Sequence, residues 1–137
     1  MKRYISGFSA LVLGVLVLGL MTAAVPALAH HAFSAEFDSE KPVNMTGTVT
    51  KLEWTNPHVW FYVDVADDSG NVESWGFEMG PPHLLQGRGW TRTTMVIGDE
   101  VTIDGSLARN GTNRVNARTV VMTSTGERLG AGSSQNN

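Results

Sequence analysis

The chain has 137 residues, a formal net charge of −3 and no cysteine, which excludes a disulfide scaffold, a thiolate zinc site, a cysteine nucleophile and a bacterial lipoprotein anchor. Its 42% apolar content is uneven: residues 1–29 hold 20 of the apolar residues and leave residues 30–137 at about 34%. Lys2 and Arg3 are the only cations of that first segment, so without it 8 Lys and Arg face 13 Asp and Glu, a net charge of −5 that argues against a nucleic-acid binder held by phosphate contacts.

Lys2 and Arg3 are followed by an apolar run from Ala10 to Leu20, a helix-breaking Pro26 and the small-residue pattern Ala27-Leu28-Ala29. This is the plan of a secretory signal, and it predicts cleavage after Ala29 and an exported protein with no membrane attachment thereafter. A retained anchor is the alternative, because residues 5–29 carry no charge. The dense apolar core is shorter than the roughly 20 residues a span requires. The mature chain then begins His30-His31-Ala32-Phe33, and its length suits one domain.

Residues 30–42 read as an extended N-terminal arm with Phe33 and Phe37 as anchors. From 43 to 54 the chain alternates. Val43, Met45, Gly47 and Val49 share one parity and Leu52 and Trp54 the other, so a bulge is expected near Thr50-Lys51. Gly47 in mid-strand suggests a sharp bend. After the Thr55-Asn56-Pro57 turn, His58 to Val65 sets Val59, Phe61, Val63 and Val65 against His58, Trp60, Tyr62 and Asp64. A hairpin loop over residues 67–71 leads to a returning strand, Val72 to Met79, in which Gly76 leaves room for Trp60 or Tyr62 to cover it. Pro82 opens a helix of about two turns over residues 83–88. Val101 to Leu107 and Arg114 to Met122 form a further hairpin, and residues 126–137 read as a flexible tail.

The order is strand, strand, strand, short helix, strand, strand. It predicts an all-β domain over residues 43–125, a small five-stranded OB-like Greek-key barrel with one short helix between strands 3 and 4. A β-sandwich is the structural alternative, but it requires about seven strands.

Three sets of residues carry candidate chemistry. Cleavage after Ala29 frees an amine on His30 that can chelate a metal together with the same residue's Nδ1. His58 or His31 would supply a further imidazole, and such a nitrogen set suits Cu(II). Met45 or Met79 would add a soft ligand for Cu(I). The plain alternative is that signal peptidase leaves some residue first and a polar arm follows. His58 by itself reads either as a ligand beside an aromatic platform or as a turn imidazole bonded to backbone and packed on Trp60. Trp54, Trp60, Tyr62 and Trp75 read either as a stacking surface of the kind OB-folds use or as core and girdle packing. Trp60 and Tyr62 form the expected ligand or partner face. His83 fits a structural role at its helix start better than ligation. Asp67, Asp68, Asp99 and Glu100 fall in turns, where such side chains bond locally. No paired carboxylates, Ser-His-Asp arrangement, P-loop or dinucleotide fingerprint supports an enzyme.

Taken in order, His30-His31-Ala32-Phe33 after the signal, Gly47-Thr48-Val49, Glu53-Trp54-Thr55-Asn56-Pro57-His58, Trp75-Gly76-Phe77-Glu78, Gly89-Trp90-Thr91 and Gly98-Asp99-Glu100-Val101 resemble a family of small exported bacterial proteins classed as a domain of unknown function. The resemblance spans roughly residues 30–134. It implies a Gram-negative periplasmic setting and a compact β-barrel, and it implies no activity. The expected function is therefore a non-enzymatic periplasmic binding protein, with copper held by His30, His58 and His31. The alternative is an OB-type module that binds a peptide, glycan or partner protein through Trp60 and Tyr62.

Overall fold

The computed structural model describes residues 33–132; the expected signal segment, His30 and His31 lie outside them. All the elements below belong to one compact unit, which begins at Glu36.

The domain is mostly antiparallel β-sheet. Strands β1 (Phe37–Glu53), β2 (Trp60–Ala66) and β3 (Val72–Glu78) precede helix α1 (Pro82–Gly87). β4 (Glu100–Ala108), β5 (Arg114–Met122) and β6 (Arg128–Gly130) follow it. The ladder order is β3-β2-β1-β4-β5-β6, and β3 also pairs in parallel with β5 through Gly76–Arg114 and Glu78–Asn116, so hydrogen bonding returns from β5 to β3. Among the described residues no helix is long and apolar enough to cross a membrane.

Alternating side chains decide which way each strand faces. Val49, Phe61, Val63, Phe77, Val101, Ile103, Val115 and Val120 turn inward and are nearly or fully buried. Phe61 and Phe77 stack across β2 and β3 with ring centroids 5.1 Å apart. The expected bulge lies where it was read, because pairing with β2 shifts between Val49 and Lys51. Gly47 sits where β2 approaches most closely. A β-carbon there would meet the Asp64 carbonyl oxygen and lie 2.7 Å from Val63 Cγ1.

The sheet has six strands, one more than expected. The sixth lies in the stretch read as tail, where Thr119, Val120 and Val121 pair with Gly130, Leu129 and Arg128. Polar composition concealed what holds this segment. Leu129 packs against the core, Ala131 is fully buried, and the Trp90 indole N–H donates to the Gly130 carbonyl at 2.9 Å. The first strand likewise starts earlier than expected. Phe37, read as an anchor on the arm, is buried and pairs with Ala108, which draws residues 37–42 into β1. α1 buries Leu85 in the core beneath a Pro82 start.

Candidate functional site

Backbone register builds one outward surface from three strands. Tyr62 lies opposite Gly76, and Gly76 lies opposite Arg114, so the three form a row across β2, β3 and β5. Trp60, Glu78 and Asn116 form the next row. Gly76 is the floor: a β-carbon there would lie 3.4 Å from Tyr62 Cε1 and 3.7 Å from Trp60 Cζ3. Both rings thus lean over the bare backbone, as the sequence suggested. Glu53, Ser74 and Asn113 complete the lining of an open groove of about 490 Å³. The loop that carries Asn113 is held in place because the Gly76 N–H donates to the Asn113 carbonyl at 2.9 Å.

Each ring carries a cation. The Arg114 guanidinium lies 4.6 Å from the Trp60 ring centre, and the Lys51 ammonium 4.9 Å from that of Tyr62. Each cation is held by a carboxylate, Arg114 by Glu36 at 2.8 Å and Lys51 by Glu53 at 2.5 Å. The Lys51 ammonium, with help from the Tyr62 hydroxyl, holds the Glu53 carboxyl below the usual carboxylate range, and Glu53 in turn raises Lys51. Sequence reasoning found both rings but not these partners. Arg114 reaches Trp60 only through the parallel β3–β5 pairing, which no local pattern encodes.

His58 stands at the end of the same surface. Its Nδ1 is hydrogen-bonded to the Glu78 carboxylate, and the imidazole is 36% exposed whereas the Glu78 side chain is only 9% exposed. The sequence offered a backbone bond or a ligand role for His58; the partner is instead a nearly buried carboxylate. Two backbone bonds, Val59 N–H to Gly80 O and Met79 N–H to Val59 O, bring residue 58 beside residue 78. The missed signal was an acidic residue between Phe77 and Met79, both fully buried.

His30 and His31 lie outside the described residues. Among those residues no group of three His, Asp or Glu side chains is placed to hold a metal. Met79 is fully buried and Met45 packs against the core, so neither thioether is offered beside His58. Trp54 and Trp75 also pack against the core, which selects the packing reading for them. His83 is exposed and does not take the capping role expected at its helix start: α1 has no side-chain cap, and Leu84 and Leu85 N–H donate to the Pro81 carbonyl. Asp67 accepts from Ser69 and Asn71, and Asp99 from Val96, the local turn bonding expected of them.

The chain belongs to DUF6152, a family of unknown function, whose model matches residues 17–117. Neither a curated protein nor a solved structure matches it.

Proposed function

We propose that this protein is a non-enzymatic binding module of the periplasm, exported by a signal cleaved after Ala29 and folded as an OB-like Greek-key barrel. Its binding face is the outer surface of β2 and β3, where OB-folds take up oligomeric ligands. The observation that carries this reading is the pair Trp60 and Tyr62, leaning over Gly76 and bordered by Arg114 and Asn113. The surface has what recognition of a peptide, glycan or partner requires: a broad aromatic area, donors and acceptors at its rim, and a backbone too firmly paired to collapse on binding. The test is Trp60→Ala, assayed against arrayed peptides and glycans. It should abolish the retention that wild-type protein shows while the unfolding midpoint stays put. Equal retention by both proteins would refute the reading.

A second reading rests on a separate observation. The buried Glu78 carboxylate engages Nδ1 of a half-exposed His58 and leaves Nε2 for another partner. Metal-binding imidazoles are held in this way, with a carboxylate on the other ring nitrogen. In this reading the mature protein binds Cu(II) through the His30 amine and imidazole, His58 Nε2 and His31, a nitrogen-rich set. With Met79 and Met45 turned to the core, Cu(II) is favoured over Cu(I). Cu(II) titration of mature protein, and of protein with one extra N-terminal residue, decides the matter. Tight binding should be confined to the former, and Glu78→Gln should weaken it by about 10–100-fold. Equal binding by both forms excludes the N-terminal site.

A further inference from the structure

We infer that the groove on β2 and β3 takes a sugar ring bearing a carboxylate, a hexuronate unit of an oligosaccharide; this rests on the first reading above. A ligand that stacks on Trp60 must displace the Arg114 guanidinium, which already lies 4.6 Å from the ring centre. What keeps Arg114 there besides the ring is Glu36, in an ion pair whose side chains are 39% and 43% exposed. Exposed pairs of this kind contribute little, so exchanging one carboxylate for another is nearly neutral. A ligand carboxylate can therefore take over the guanidinium in place of Glu36. Arg114 would swing aside, the Trp60 face would be bared, and the apolar face of the same ring could settle on it.

The two cations are not equivalent. Guanidinium is a planar fork that binds a carboxylate through two parallel N–H donors, whereas an ammonium acts as a point charge. Lys51 is closely engaged by Glu53. Arg114 is thus the anion receptor. Lys51 is instead committed to Glu53, a carboxylate that is ionised at neutral pH. An ionised Glu53, the Ser74 hydroxyl and the Asn113 amide are suitable partners for ring hydroxyls. A neutral sugar would have to strip Arg114 from Trp60 and give nothing back. A bare anion would find Arg114 but leave the aromatic floor unused.

Trigalacturonate and its carboxyl-reduced, neutral counterpart are the probes, titrated calorimetrically into the mature protein. Trigalacturonate should bind at least tenfold more tightly than the reduced trisaccharide. Arg114→Gln should remove that discrimination, and Trp60→Ala should weaken trigalacturonate regardless of Arg114. Both side chains lie on the outer surface, and circular dichroism checks that the variants fold. Equal affinity for the two trisaccharides, or discrimination that survives Arg114→Gln, overturns the inference. If neither sugar binds while Trp60-dependent retention of another ligand persists, the hexuronate inference fails and the binding-face reading stands. If no ligand depends on Trp60, both fail.

Discussion

Two of the three-residue rows that cross this sheet differ at the centre. On one side Tyr62, Gly76 and Arg114 span β2, β3 and β5. On the other Asn44, Asp104 and Thr119 span β1, β4 and β5. The central Asp104 gathers its neighbours: it accepts from the Asn44 amide at 2.6 Å, from the Thr119 hydroxyl at 2.9 Å and from Arg128 at 3.0 Å. The central Gly76 has no side chain to gather neighbours, and the flanking rings lean over it with cations resting on their faces. One row spends its polar groups on itself and holds β6 to the sheet. The other ends on Arg114, whose ion pair with Glu36 is exposed on both sides. On the proposed reading, the saturated row serves the structure and the row with the exposed pair serves binding.

The largest effect separates two glycines. Gly47 faces a close approach of β2, so Gly47→Ala must push back the Asp64 carbonyl and the Val63 side chain. It should cost about 1–3 kcal/mol by denaturant unfolding, as overpacking does. Gly76→Ala meets only the Tyr62 and Trp60 rings at ordinary contact distance, 3.4 Å and 3.7 Å. Its stability should change by less than about 1 kcal/mol. The groove floor would nonetheless rise beneath the rings, so ligand affinity should fall. Comparable destabilisation by the two substitutions would mean that the Gly76 row is as structural as the other.

The sequence revealed these two rows unequally. Strand parity is local, so Trp60, Tyr62 and the cover over Gly76 could be read from spacing, as could the bulge between Val49 and Lys51. β6 could not, because a segment of three residues carries too little periodicity, and what fixes it is a distant indole, Trp90. Arg114 and Glu78 were missed for different reasons. Arg114 meets Trp60 only through the pairing of β3 with β5, strands remote in sequence, whereas Glu78 lies across the β2–β3 hairpin from His58 and was passed over as a single acidic residue on an alternating strand. The copper reading depends on His30 and His31, outside the described residues, and there the sequence supplies only the order of donors.

A smaller effect comes from pH. Hydrogen bonds from Asn44 and Thr119, then the nearby Arg128, hold the Asp104 carboxyl below its ordinary range. A depressed folded-state value stabilises the protein above the unfolded value, about 3.9, and that contribution disappears as pH falls through the folded value. Asp104→Ala should therefore reduce stability at neutral pH by roughly 1 kcal/mol, a figure kept low because the carboxylate is partly exposed. The deficit should narrow as pH drops below about 4. A deficit independent of pH would show that Asp104 contributes packing and not charge, and the contrast between the rows would lose its electrostatic basis.

The smallest effect is the most discriminating. If the groove pairs are exchangeable, Arg114 and Glu36 should couple only weakly in the free protein. A double-mutant cycle with Arg114→Gln and Glu36→Gln, read by chemical denaturation, should give an interaction energy of about 0.2–1 kcal/mol that shrinks as salt is raised. The reason is geometric as well as dielectric. Both side chains are well exposed, and Arg114 has the Trp60 face to rest on whether or not Glu36 is ionised. A coupling well above that range would mean that Glu36 locks Arg114 over the ring. The groove would then be a closed structural element like the Asp104 row, and a ligand would have to break it rather than exchange with it.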